Sequence, residues 1–316
     1  MNGICVIIPV FNREDYLAEA IRSVLDQQYP GPLEIIVSDD GSTDRSVEIA
    51  SSFGENVRVV RKPDTTAARG ASGARNRGIA RATQPLVAFL DSDDFLLPGH
   101  LARTAGILEA RLELGFAFSR VAQMQERGGR RMFAPWTKER VTERDVSYIV
   151  VSGSNVVQTG AFVFRRSVFE SVGVFNEGYS NHEDGDLWMR VSERYRGAFS
   201  DHYGAVYRVA HGTGQLTDGR NGTRNAQSFE QVILGALARC EAAATPDRYR
   251  LFRLRLMAAT FGRPDWLALI RVALRHPLLS VRTALDVHRI RGRLGGPEPR
   301  WKDSLAFATA TDRSIA

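Results

Sequence analysis

With 316 residues the chain is long enough to bury a large core in one large domain with an appendage. Its two cysteines, Cys5 in an apolar strand pattern and Cys240 in an Ala-rich helical stretch, exclude a disulfide framework and a thiolate metal site and fit a reducing compartment. The net charge of +6 is uneven: residues 246–302 hold 13 Arg and Lys against four Asp and Glu, a local +9, so the remainder is near −3 and the basic balance does not mark a nucleic-acid binder.

The first strand pattern begins almost at the N-terminus, without a basic leader. No stretch reaches the roughly 18 apolar residues that a membrane span needs, so a cytoplasmic protein is expected. Ile4 to Val10 reads as a buried strand, broken by Pro9 and followed by Phe11 and Asn12, with Asn12 the expected N-cap of a helix and Asp15 in its first turn. Tyr16, Leu17, Ala20, Ile21, Val24 and Leu25 then recur at helical spacing until Tyr29-Pro-Gly-Pro32. A second strand, Leu33 to Val37, ends in Ser38-Asp39-Asp40-Gly41-Ser42. A helix over 43–52, a strand over 57–60, a helix over 74–82 and a strand over 86–90 follow. This alternation predicts β-α-β units, hence a mainly parallel sheet with helices on both faces. Ligands of such sheets bind beyond the carboxyl ends of the strands, where Pro9, Asp39-Asp40 and Asp91-Asp93 all fall.

The second half is more mixed. A helix is expected over 100–114, a strand over 116–124, a hairpin or exposed loop over 125–131 and a buried strand over 162–164. A helix over 184–195 carries an apolar face of Leu187, Trp188, Val191 and Tyr195. Residues 208–226 are polar and Gly-rich and read as a mobile loop, and from about 227 the chain reads as helical, with breaks at Gly262-Arg-Pro264 and His276-Pro277.

The chemistry is concentrated in a few acidic clusters. In an extended segment residues i and i+2 point the same way, so Asp91 and Asp93, flanking Ser92, can face one site. Two carboxylates there repel unless a proton or cation relieves them, which asks for a divalent ion holding phosphate oxygens; a turn that favours Asp is the plainer alternative. Asp39 or Asp40 can accept from a base N–H or a ribose hydroxyl, or can cap the next helix. Neither a Gly-x-Gly-x-x-Gly turn nor a Gly-Lys-Ser/Thr loop is present to grip phosphates. Arg75, at the start of its helix, can pair with a phosphate or hold one of the site aspartates. His211, in the Gly-rich loop, can be a third metal ligand, touch a diphosphate, or lie unused on the surface. In His182-Glu183-Asp184-Gly-Asp186, capping explains one or two of the acids. A general base needs a positioned carboxylate, for which Asp184 is the choice and Glu183 the fallback, while Asp186 pairs with Arg190 on the helix surface.

Pro9-Val-Phe-Asn12, Asp39-Asp-Gly-Ser42, Ala74-Arg-Asn-Arg-Gly-Ile79, Phe89-Leu-Asp-Ser-Asp-Asp94 and Glu183-Asp-Gly-Asp-Leu-Trp-Met-Arg190 occur in the order and spacing of the family 2 glycosyltransferases, which the chain resembles over about residues 1–215. Thr159-Gly-Ala-Phe-Val-Phe-Arg165 and Val172-Gly-Val-Phe-Asn-Glu177 also fit. The resemblance implies an α/β GT-A fold: a catalytic domain over 1–225, with a nucleotide-binding half (1–98) and an acceptor-binding half (99–225), and a basic helical region over 226–316. It implies that Pro9, Phe11 and Asn12 line the nucleoside pocket, that Asp40 contacts the base with Asp39 nearby, and that Asp91 and Ser92 lie by the ribose. Asp93 would be the principal ligand of Mn²⁺ or Mg²⁺, with Thr159 to Ala161 bordering the donor sugar and Asp184 the base of an inverting displacement. A UDP-linked donor is the default, with GDP- and dTDP-linked donors open, and the acceptor is a saccharide or lipid-linked glycan. Trp136, Tyr179 and His182 are the candidates for its pocket. The Gln-x-x-Arg-Trp motif of processive members is missing; the Arg300-Trp301 pair lies too far along. The basic C-terminal helices suit peripheral contact with the inner face of the cytoplasmic membrane, packing on the catalytic domain, or a homodimer surface. A nucleotidyltransferase and a non-catalytic nucleotide-sugar or glycan-binding module are the competing functions.

Overall fold

A computed structural model describes residues 1–63, 70–136, 158–179, 181–209 and 222–243. All seven residues of β1 (Ile4–Val10) are buried, which is the pattern of an interior strand covered on both faces. It pairs in parallel with β2 (Leu33–Asp39) on one side and β4 (Leu86–Phe89) on the other, and β3 (Arg58–Arg61) joins β2 in parallel. The last β1–β4 pair is Ile7 with Phe89, so Pro9, which has no N–H to give, lies beyond that ladder.

Helices α1 (Leu17–Leu25), α2 (Ser46–Ser51) and α3 (Gly70–Ile79) make the crossovers. Leu17, Ala20, Ile21 and Val24 bury one face of α1, as their spacing requires. Asn12 does not cap it. Tyr16 holds the N-cap position without a side-chain bond, and Asn12 adopts φ 50° so that its Oδ1 accepts from the Thr43 amide at 2.8 Å. The residue ties the ends of β1 and β2 together instead of starting a helix. Against β1, α3 packs at Gly78, where a Cβ would lie 2.3 Å from Ile7 Cγ2.

The second half contributes β5 (Phe95–Leu96), α4 (His100–Ala110), β6 (Leu114–Arg127), β7 (Arg130–Pro135), β8 (Phe162–Arg165), α5 (Ser167–Val172), α6 (Glu183–Arg194), β9 (Arg196–Arg208) and α7 (Gly222–Ala242). The expected hairpin is β6–β7, turning on Gly128 and Gly129, both at positive φ. The nine strands of the described residues share one sheet in the order β3-β2-β1-β4-β8-β6-β9-β5, with β7 on β6. The parallel reading holds for the strands up to β4. Beyond it β8 runs antiparallel to both β4 and β6, β6 and β9 are parallel, and β5 is antiparallel to β9.

Phe89, Phe116, Phe118, Phe162 and Phe164 are fully buried at this junction, each burial contributing about 1.5–3 kcal/mol. Trp188 of α6 stacks on Phe162 and Phe164, with ring centroids 4.5 and 4.9 Å away. That stack fixes α6 against β8 and thereby sets where its acidic N-terminus emerges.

Strand β9 extends to Arg208 and α7 begins at Gly222, so both ends of the loop expected over 208–226 fall in regular elements, and residues 210–221 lie outside the described residues. The expected 225/226 boundary therefore falls inside α7. Val232, Ile233, Ala236 and Cys240 of α7 pack on Met189 of α6, with Tyr179 beside them. Residues 246–302, with the basic helices read from the sequence, lie outside the described residues. No helix among the described residues is long and apolar enough to cross a membrane.

Candidate active site

The carboxyl ends of β1, β2 and β4 form a rim, and the N-terminus of α6 closes over it. At the end of β2, Asp39 is buried and its carboxylate accepts the amides of Gly41 and Ser42 at 3.2 and 3.0 Å, so this side chain builds the turn. Asp40 reaches across instead: Oδ1 pairs with Arg77 Nη2 at 2.8 Å and Oδ2 accepts the Gly70 amide at 2.6 Å, which ties β2 to the start of α3. Phe11 lies on the rim with 54% of its surface exposed, and the Asn12 amide donates to Ser42 Oγ at 3.0 Å.

Arg75 connects the rim to α6. Its guanidinium donates to Asp91 Oδ1 and to Glu183 Oε1, both at 2.7 Å, and lies over the Phe175 ring. Burial alone would lower the Arg75 pKa, but Asp91 and Glu183 carry it above its ordinary value. Of the two sequence readings of Arg75, the one seen is the grip on site acids. Asp91 keeps a third of its side chain exposed; burial raises its pKa, Arg75 pulls it down, Asp93 pushes it up, and the net direction is upward. Ser92 is buried beside it. Asp93 accepts from Arg13 Nε at 3.3 Å. Asp94 is buried, accepts the Arg208 amide at 2.8 Å, and is pushed well above the usual carboxylate range by burial and by the charges of Asp93 and Asp91.

Glu183, the fallback base, is committed to Arg75. Asp184 is placed differently: its Oδ1 accepts the Gly185 amide at 2.7 Å, and its Oδ2 lies 3.4 Å from the Thr159 hydroxyl. Burial first, and then the charge of Glu183, raise its pKa to about 6, against weaker opposition from Arg75 and the Gly185 amide. Thr159 belongs to the 3₁₀ turn Thr159–Ala161, which is buried and leads into β8 beside β4. His182 holds the N-cap position of α6 at φ 60°, a left-handed conformation that costs a non-glycine residue about 1–2 kcal/mol.

One sequence expectation is corrected here, and two residues read as acceptor candidates are found in packed contacts. Asp186 does pair with Arg190, at 2.8 Å, but in the interior rather than on the helix surface, with Arg239 of α7 at 3.6 Å as a second cation. Tyr179 packs in the α6–α7 cluster, where burial and the charge of Asp186 raise its pKa, so its ring belongs to a helix contact. Trp136 packs edge-on against Tyr207 at 5.2 Å. His211 lies outside the described residues.

The sequence reading missed Arg13, Arg77 and Arg208. Arg208, at the end of β9, donates from Nε to the Asp93 carbonyl at 2.9 Å and from Nη2 to Glu19 Oε2 at 2.5 Å. Arg77 had a signal, two residues from Arg75 on one helix. Arg13 and Arg208 had none, since each meets Asp93 across 80 residues or more of chain.

A divalent ion fits this rim on charge. The acids Asp91, Asp93, Asp94, Glu183 and Asp184 outnumber the guanidiniums of Arg13 and Arg75 that contact them, while the Arg208 guanidinium is given to Glu19 and the Asp93 carbonyl, and Asp91, Asp94 and Asp184 are pushed upward. Among the described residues no three acidic, His or Cys side chains converge as a metal cage, and an ion held at this rim would need oxygens from a ligand.

The family model described as Glycosyl transferase family 2 matches residues 5–173, more than half of the chain. The chain belongs to this family. Among its glycosyltransferase relatives is the succinoglycan biosynthesis protein ExoU of Rhizobium meliloti, 32% identical over 229 residues, which covers 66% of this chain and 63% of ExoU. The uncharacterized glycosyltransferase YibD of Escherichia coli is 47% identical over 97 residues, covering 31% of this chain and 28% of YibD. The matched part thus spans less than two thirds of these relatives' own lengths. Residues 1–349 of Staphylococcus aureus TarS superpose with a TM-score of 0.61 at 19% identity, covering 89% of this chain and 78% of that one. The mannosyltransferase PcManGT of Pyrobaculum calidifontis, solved with GDP-Man and Mn²⁺, superposes with a TM-score of 0.58 at 20% identity, covering 97% and 86%. The shared fold is GT-A, here a mixed sheet whose strands β1 to β4 are parallel.

Proposed function

We propose that this glycosyltransferase moves a sugar from a nucleoside-diphosphate donor to a hydroxyl of a saccharide or lipid-linked acceptor, inverting the anomeric centre in one displacement. The observation that carries this reading is Asp184: an acid with its pKa raised to about 6, at the mouth of α6 beside the Thr159 turn, facing the same rim as Asp91 and Asp93. A base that works near neutral pH needs that combination of reach and proton affinity.

In this reading Phe11, Pro9 and Asn12 border the nucleoside, Asp40 receives the base, with Asp39 holding the turn beneath it, and Asp91 and Ser92 lie toward the ribose. Asp93 and Asp91 would hold Mn²⁺ or Mg²⁺, which when bound offsets the charge of the diphosphate as it leaves. Arg75 and Glu183 keep Asp91 and α6 in fixed relation, so the base and the diphosphate end of the rim stay in register. Asp184 accepts the acceptor's proton through the oxygen not held by the Gly185 amide, while Thr159 steadies the carboxylate. TarS has been solved with UDP-GlcNAc and PcManGT with GDP-Man, so uridine and guanosine donors are the first to test. ExoU, a succinoglycan biosynthesis protein, points to polysaccharide assembly as the setting.

The test is a thermal-shift screen of nucleoside diphosphates with and without Mn²⁺, followed by transfer assays with the sugars of the base that binds. Metal-dependent stabilisation by one base, with transfer or slow donor hydrolysis, is the expected result. Binding without turnover across a broad donor and acceptor panel would leave a non-catalytic binding module.

A further inference from the structure

Arg13 and Arg75 are both cations of this rim, but they are held in different ways. Arg75 has two 2.7 Å contacts and a side chain only 5% exposed. Arg13 meets Asp93 through Nε at 3.3 Å, in a pair with 22% and 19% of the side chains exposed. Its backbone, by contrast, is fixed: the amide donates to Ser46 Oγ at 2.9 Å and the carbonyl accepts the Tyr16 and Leu17 amides. The Arg13 Nη1 donates to the Asn12 carbonyl at 3.0 Å, which keeps the guanidinium at the end of β1. The result is a cation on a rigid base, touching the acid that the functional reading assigns to the metal through a 3.3 Å, partly solvated contact.

A guanidinium on Asp93 and a divalent ion on Asp93 compete for the same carboxylate, and like charges that close repel. We propose that Arg13 is a displaceable counter-ion: it covers Asp93 while no divalent ion is bound, yields the carboxylate when the ion arrives, and then faces the donor's diphosphate. This rests on Asp93 as the metal ligand. Arg13 is a positioning residue here. It weakens binding of the ion alone, and it makes ion and diphosphate bind cooperatively, because the phosphates give the displaced guanidinium a new partner.

The experiment measures Mn²⁺ binding to the full chain, by the electron paramagnetic resonance signal of free Mn²⁺, in the parent, Arg13→Gln, Arg13→Lys and Asp93→Asn, first alone and then with UDP. Arg13→Gln should bind Mn²⁺ alone about tenfold more tightly than the parent. At saturating Mn²⁺ it should bind UDP about tenfold more weakly, so the Mn²⁺–UDP coupling shrinks. Arg13→Lys, which keeps the charge, should stay near the parent in Mn²⁺ affinity. Arg13→Met replaces the Gln variant if circular dichroism shows that one misfolded. Unchanged or weaker Mn²⁺ binding by the uncharged variant overturns the proposal, as does equal tightening by Arg13→Lys. Parent-like Mn²⁺ binding by Asp93→Asn would instead remove the metal assignment, whatever Arg13 does.

Discussion

At the scale of single residues, two neighbouring acids on one helix turn have different environments. Glu183 gives an oxygen to Arg75, whereas Asp184 meets an amide and a hydroxyl and, among the described residues, no guanidinium. Burial therefore raises the Asp184 pKa to about 6. Transfer should rise with pH through about 6 as the carboxylate forms, then level off. Asp184→Asn should lose about 10²–10⁴-fold in kcat while Mn²⁺-dependent nucleotide binding changes little, as read by initial rates and titration. Loss of nucleotide binding would reject the assignment. Stability carries a second signature. A raised folded pKa stabilises the fold fully below the unfolded value near 3.8, and that contribution is lost as pH rises through about 6. Asp184→Asn should therefore melt above the parent at pH 8 and lose this advantage by pH 4. None of this environment is visible in the string Glu-Asp-Gly-Asp; the sequence offered Asp184 and Glu183 as alternatives, and the Arg75 bridge separates them.

Among the elements, those with strong periodicity were legible and those built by distant contacts were not. The continuous apolar run of β1 and the spaced apolar face of α1 carry their own assignments, since burial on two faces or one leaves a local pattern. Asn12 misled because an Asn before an apolar helical pattern usually caps; here its side chain is used by Thr43, 31 residues on. The start of α7 was hidden in a polar, Gly-containing stretch for a related reason: Gly222 and Asn225 are weak helix formers, and the helix is held by packing further along. Helix α3 depends on closeness more than on pattern. It has almost no apolar face, and Gly78 lets it rest on Ile7. Gly78→Ala should cost about 1–3 kcal/mol in chemical denaturation and loosen the Arg75 and Arg77 contacts that α3 presents to the rim. A change below about 0.5 kcal/mol would mean that α3 shifts without strain.

For the whole molecule, Arg75 joins α3, the end of β4 and the start of α6, so one side chain ties the parallel first part of the sheet to a helix of the second. Arg75→Met should destabilise by about 3–5 kcal/mol in urea, because Glu183 would stay buried, and Asp91 partly buried, without their cation. A loss of less than about 1 kcal/mol would show that water or another cation replaces it. By itself the sequence determined the β-α-β order, the placement of the acidic clusters at strand ends and the family, because strand and helix periods and short ordered motifs are local properties of the chain. Only the tertiary structure decided that β8 enters antiparallel beside β4, that Asp39 builds a turn while Asp40 reaches α3, and that Arg13, Arg75 and Arg208 are the cations among these acids. Which charge meets which is set by packing distant segments together, and Coulomb and hydrogen-bond terms depend on that distance and burial, not on separation along the chain.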